Sequence, residues 1–172
     1  LTQHGQTLDT SSALNEFAGG ATIFENALTS APRTRPSFRT VLSGRYPLPA
    51  MNAPQLGEMM QEAGFVTAGV TANVHLVPRF NFNAGADYWH YENGVDAEVE
   101  IDRAKRWLSD NESQDSYLFL HLMDPHVFYR APAPYLDMYV TFPPENVSED
   151  MNRWRITSMS ERGEIEDADM QW

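Results

Sequence analysis

The chain contains no cysteine, which removes disulfide bridges and thiolate metal ligation and leaves the redox compartment unreadable. Lysine is almost absent too: Lys105 stands alone beside eleven arginines. No stretch approaches the roughly 20 consecutive apolar residues of a membrane-spanning helix. Positive charge as a whole is scarce, with 12 Lys and Arg against 24 Asp and Glu and a formal net charge of -12. Such a surface repels polyanions, so nucleic acid and anionic membranes are not expected partners. An anionic substrate would need local arginine or a metal ion to offset that field. Acidic excess with so little lysine resembles the halophilic proteins of salt-loving microbes, where concentrated salt screens self-repulsion; an ordinary acidic protein of a GC-rich mesophile is the alternative. The opening residues, LTQHGQTLDT, have neither the basic start nor the apolar middle of a signal peptide, which slightly favours a cytoplasmic protein.

At 172 residues the chain suffices for one domain, or part of one. Ser11 and Ser12 precede ALNEFA, where Leu14 and Phe17 are three apart, and predict a short capped helix stopped by Gly19 and Gly20. Ile23 and Phe24 predict a short strand leading into the proline turn at 31–36. SFRTVLSG predicts a helix opened by Pro36 and closed by Gly44, with Thr34 just ahead of its N-terminus. Leu56, Met59, Met60 and Ala63 follow the i, i+3, i+4, i+7 rule and predict a helix ended by Gly64. FVTAGVTA reads as a strand buried on both faces. The stretch from Asn73 to Gly94 has aromatics, Pro, Asn and Gly without period and reads as a long loop. Ala97, Ile101, Ala104 and Leu108 form a second helical stripe starting near Asp96, and YLFLHL (Tyr117 to Leu122) is a nearly unbroken apolar strand. Beyond Asp124 the chain is proline-rich, regaining helical character only from about Glu164. Helices alternating with continuous apolar strands predict an α/β fold built from βαβ units around a parallel sheet. Its strand ends, after Ala72 and Leu122, are where open sheets of this kind place their sites.

Thr34 has the most unusual setting in the chain. A hydroxyl beside a helix start sees unpaired backbone N–H groups and the positive end of the dipole, which favour an incoming phosphoryl or sulfuryl group. Arg33, Arg35 and Arg39 crowd the same few residues, an anion site in outline. On local physics alone, a helix cap with arginines that are solvated or paired with surface carboxylates is the better account, since caps are common.

The wider pattern adds a resemblance. TRPSFRTVLSGRYP (Thr34 to Pro47) resembles the signature around the nucleophile of the sulfatase family within the alkaline phosphatase superfamily. Three further segments are similar to that family in the same order: QLGEMMQEAGFVTAGVTAN (Gln55 to Asn73), NFNAGADYW (Asn81 to Trp89) and YLFLHLMDPHVFY (Tyr117 to Tyr129). The resemblance implies an alkaline-phosphatase-like sandwich with a mostly parallel central sheet flanked by helices, and metal-dependent cleavage of sulfuric or phosphoric esters. It implies Thr34 as nucleophile and metal ligand, and His126 as a catalytic residue that contacts the anionic group or protonates the leaving oxygen. It implies Arg35, Arg39 and Asn73 as substrate-binding residues. Asn73 is equally suited to forming a turn, as Asp124 is; His121 reads as a core histidine and His75 as a weaker candidate.

Two departures bear on the chemistry. Threonine cannot become the formylglycine of many sulfatases, so the hydroxyl would act directly, as in the phosphodiesterase and phosphotransferase branches of the superfamily. The family's arginine after Pro-Ser is Phe38 here, with Arg39 one residue on, about 100° further round a helix. The implied cofactor is a divalent metal, Ca2+ for a sulfatase or Zn2+ or Mn2+ for a phosphodiesterase. Most of its ligands, an acidic pair ending a first strand and an Asp-His or Asp-Asn set far downstream, fall outside residues 1–172. The expectation is a partial catalytic domain acting on a small anionic ester, inactive without those segments. A non-catalytic anion-binding fragment is the alternative, and the oligomeric state is not readable.

Overall fold

The computed structural model describes residues 11–46, 52–126 and 162–163. The chain divides into two compact units, one of residues 1–27 with 125–172 and one of residues 28–124.

In the first unit, α1 spans Ser12–Ala18, flanked by Ser11 and by Gly19. Leu14 and Phe17 are exposed. Ser11 makes no side-chain capping bond, so the serine start signal marks the boundary without the expected hydrogen bond. The strand predicted around Ile23 and Phe24 is not formed; the chain turns at Glu25 and Asn26 and both apolar side chains stay exposed. Among the described residues no neighbouring strand pairs with it, and β propensity alone cannot hold a lone strand. The proline-rich segment and the helical tail from Glu164 lie outside the described residues, apart from Asp124 to His126.

The second unit holds the sheet. Helix α2 is Thr34–Ser43, α3 is Leu56–Glu62 and α4 is Ala97–Asp110, with a single 3-10 turn at Pro78–Phe80. Strands β1 (Val66–Thr71), β2 (Tyr88–Tyr91) and β3 (Ser116–His121) lie in the order β2-β1-β3, all parallel. This is the expected α/β arrangement, with one correction: the 73–94 segment is not a continuous loop, because Tyr88 to Tyr91 pair with Ala68 to Thr71. Four aromatic residues with no clear alternation give little strand signal, and the neighbour β1 supplies what the local sequence lacks.

β1 is buried on both faces: Thr67, Val70 and Thr71 are fully covered and Ala68 nearly so. β3 is only half-buried along its length, less covered than its apolar sequence predicts. Helix α4 packs against β1 and β3 through the side carrying Glu100 and Ala104. Helix α3 opens with a capping box between Gln55 and Glu58 and comes so close to the 84–85 turn that a Cβ on Gly57 would sit 2.6 Å from the Ala84 carbonyl oxygen. Helix α2 closes at Gly44, whose φ of 65° is the left-handed conformation that glycine adopts without strain. Leu42, Leu76 and Phe82 form a buried cluster that joins α2 to the segment after β1.

Candidate functional site

The carboxyl end of β1 leads into a loop that meets helix α2 through Arg35 and Arg39. Thr71 Oγ1 accepts a hydrogen bond from the Asn73 N–H at 3.0 Å, and Asn73 Oδ1 accepts from the His75 N–H at 2.9 Å. Asn73 is buried, and this side-chain turn is the local mechanism that asparagine offers at a strand end. It sends Leu76 into the core, and the 3-10 turn at Pro78–Phe80 follows. Asn81 ends that turn with φ 59°, a conformation asparagine tolerates better than most residues.

Thr34 is the first residue of α2, not the residue ahead of it, and Arg33 occupies the capping position in extended conformation without a side-chain cap. Pro36 sits third in the helix and has no N–H, while the Ser37 N–H bonds back to the Arg33 carbonyl at 3.1 Å. Within the helix start, the amides of Thr34 and Arg35 have no acceptor among the described residues. Thr34 is half-buried; Arg33 and Arg35 are exposed. A chain of hydroxyls ties the approach to the helix: Ser37 meets Thr29 at 2.9 Å, and Ser30 donates to Thr40 Oγ1, also at 2.9 Å. Thr29 in turn donates to the Ala31 carbonyl, and Thr40 to that of Pro36.

Phe38 and Arg39, adjacent in sequence, serve different neighbours. Phe38 packs edge-on to Phe119 and His121 of β3, with ring centroids 5.9 and 5.0 Å away. Arg39 turns to the loop after β1, donating to the Phe80 carbonyl and lying 5.1 Å from the Phe82 ring centroid. Its guanidinium thus holds the loop against α2. Arg35 lies over the Phe80 ring at 4.4 Å, and Arg79 over the same ring at 4.5 Å. Arg79, Phe80 and Phe82 were not singled out in the sequence. The available signal was an arginine after Pro78 with two alternating phenylalanines, set in a segment without periodicity.

The remaining candidates separate. His75 is exposed and uses its backbone N–H in the Asn73 turn. The Asp124 carboxylate accepts the Ala97 N–H at 2.9 Å, satisfying one of the amides at the start of α4. His121 is half-buried against Phe38. His126 is exposed and falls in the other unit. Among the described residues no three His, Asp or Glu side chains gather where a metal ion could sit. Thr34 offers one hydroxyl, so these residues do not by themselves compose a divalent-metal site. No described helix is long and apolar enough to cross a membrane.

A second polar group lies at the carboxyl end of β2, on the same sheet edge as the end of β1. Arg103 of α4 pairs with Glu92 at 3.0 Å, and His90 is 3.5 Å from the same carboxylate oxygen. Burial, with the Arg103 charge, pushes the His90 imidazole below its ordinary value, and Glu92 opposes this. Glu100 is 1 % exposed, with neither carboxyl oxygen hydrogen-bonded. Burial drives its pKa up against the attraction of Arg103.

The parallel sheet flanked by helices matches solved structures of alkaline-phosphatase-like α/β fold. The Sulfatase family model matches residues 1–162, and the chain belongs to that family. It is similar in structure to the C-terminal periplasmic domain of EcEptC from Escherichia coli, with a TM-score of 0.66 at 19 % identity over 92 % of this chain and 48 % of that one. The zinc complex of the same Escherichia coli domain gives 0.63 at 18 % identity, covering 92 % and 49 %. The chain therefore spans about half the length of these neighbours. No curated protein matches its sequence.

Proposed function

We propose that the protein is the nucleophile-bearing part of a hydrolase of sulfuric or phosphoric esters, with Thr34 as the attacking residue. The observation that carries this reading is Thr34 at the first position of α2, flanked in sequence by Arg33 and Arg35, with its own amide and that of Arg35 unpaired among the described residues. In the net first step the bond from Thr34 Oγ1 to sulfur or phosphorus forms and the bond to the leaving alcohol breaks. The hydroxyl proton ends on that alcohol. Water then attacks the covalent ester and restores Thr34.

The helix-start amides favour the anionic group that reacts, and Arg35 is a further substrate-binding residue. The Asn73 carboxamide oxygen is used in its turn, which leaves the Nδ2 group as the donor toward a nonbridging oxygen. Arg39 serves as a positioning residue, since its guanidinium is engaged by Phe80 and Phe82. A divalent metal, held by Thr34 and by ligands outside the described residues, belongs to the proposal, supported by the family and by the zinc complex of the neighbour. When bound, such an ion lowers the pKa of a coordinated hydroxyl.

The test is turnover of an aryl sulfate and an aryl phosphodiester by the full-length protein, with and without added Ca2+, Zn2+ or Mn2+. Thr34→Ala is expected to abolish turnover, and Thr34→Ser to retain part of it. Undiminished hydrolysis by Thr34→Ala would rule out the nucleophile assignment.

A further inference from the structure

Three guanidinium groups converge on Phe80. Arg39 donates to its carbonyl, and the heads of Arg35 and Arg79 lie 4.4 and 4.5 Å from its ring centroid. None of the three pairs with a carboxylate among the described residues. In a chain with 24 acidic residues, carboxylate partners are plentiful, so this cluster is set apart from its surroundings. The ring offers each cation partial compensation through its quadrupole. It also holds two like charges close together, an arrangement that an anion between or beside them relieves.

The ring itself is fixed before any ligand arrives. The Phe80 N–H bonds to the Val77 carbonyl at 3.0 Å and its own carbonyl is held by Arg39, while the neighbouring Phe82 lies in the core. A side chain ordered on such a platform loses less freedom on binding than a free surface arginine. Arg35 and Thr34 are consecutive in a helix and so project about 100° apart. With the Arg35 head on Phe80, the Arg35–Arg79 pair occupies ground separate from the Thr34 hydroxyl.

We infer that Arg35 and Arg79, held on Phe80, bind a second phosphate or sulfate group of the substrate, distinct from the ester group that reacts at Thr34. The inference rests on the reading of Thr34 as the reacting residue. It narrows the substrate class to esters carrying at least two such anionic groups, and it makes Arg79 a specificity-determining residue. Planar guanidinium forks suit tetrahedral oxyanions in a way that lysine does not.

The experiment is calorimetric titration of the full-length protein at low salt with inorganic pyrophosphate, which carries two linked anionic groups, and with orthophosphate, which carries one. Arg79→Gln is expected to weaken pyrophosphate binding about tenfold or more, the scale of a lost charge-assisted hydrogen bond, and to weaken orthophosphate binding much less. Arg79 is exposed, so a thermal melt of Arg79→Gln matching the parent separates lost binding from lost folding. Equal weakening for the two anions, unchanged pyrophosphate affinity in Arg79→Gln, or no pyrophosphate binding by the parent would overturn the inference. Turnover that survives in Thr34→Ala overturns the nucleophile reading instead, and the pyrophosphate comparison still decides whether the arginine pair binds a paired anion.

Discussion

Trp89 of β2 lies across Gly69 of β1, its register partner, and stacks on Phe119 of β3 with ring centroids 6.0 Å apart and planes 12° from parallel. A Cβ on Gly69 would fall 2.1 Å from Trp89 Cζ3. The indole fills the space a side chain in the middle strand would need. Gly69→Ala should therefore destabilise the fold by about 1–3 kcal/mol, the usual cost of overpacking, read as a lower midpoint in chemical denaturation. The double variant Gly69→Ala with Trp89→Leu should lose less than the sum of the two single changes, because the shorter side chain removes the clash.

Arg39→Lys should behave as a loss. The amine cannot keep both the bond to the Phe80 carbonyl and the stacking on Phe82. A cost of about 1–2 kcal/mol is expected. Amide exchange at Asn81, whose N–H bonds to Pro78 at 2.7 Å, should speed up more than exchange in α4.

Glu100→Gln should stabilise the protein at neutral pH and have little effect in acid. The folded-state pKa of Glu100 is raised by burial, so the folded protein binds more protons than the unfolded chain between the two pKa values. Stability from this group is thus fully present below the unfolded pKa and is lost as pH rises through the folded one. Glutamine resembles the protonated acid, so the two melting curves should converge below about pH 4. A difference independent of pH would refute the assignment.

Asp87→Ala should destabilise by about 1–3 kcal/mol, because it removes the acceptor of the buried Thr67 N–H and leaves the Thr67 hydroxyl only the Gly85 carbonyl. The Thr67 bonds, backbone first, hold the Asp87 pKa below its ordinary value. Its contribution is therefore present above the unfolded pKa and fades as pH falls through the folded one. Urea titrations of parent and variant should draw together in strong acid.

The sheet and its helices were legible where pattern and burial agree. Leu56 to Ala63 carries a helical stripe, Phe65 to Ala72 is apolar enough to be covered on both faces, and Asp96 marks the start of α4. β2 was hidden because Tyr88 to Tyr91 become a strand only beside β1. Ile23 and Phe24 misled for the converse reason, since their apolar character found no strand to pair with among the described residues. Around Thr34, the sequence identified the helix start and the arginines on it. It could not reveal that Arg39 is bound to the loop or that Arg79 arrives from it, because both depend on contacts some 40 residues apart along the chain.

The attachment of the loop after β1 to both the central strand and α2 has a consequence for heat. Leu76 and Phe82 bury the loop in the same cluster as Leu42, and Arg39 secures its backbone. A loop held in this way does not fray ahead of the sheet. On slow heating, binding of a paired anion should thus persist up to the temperature at which the strands themselves separate, and the two signals should vanish together.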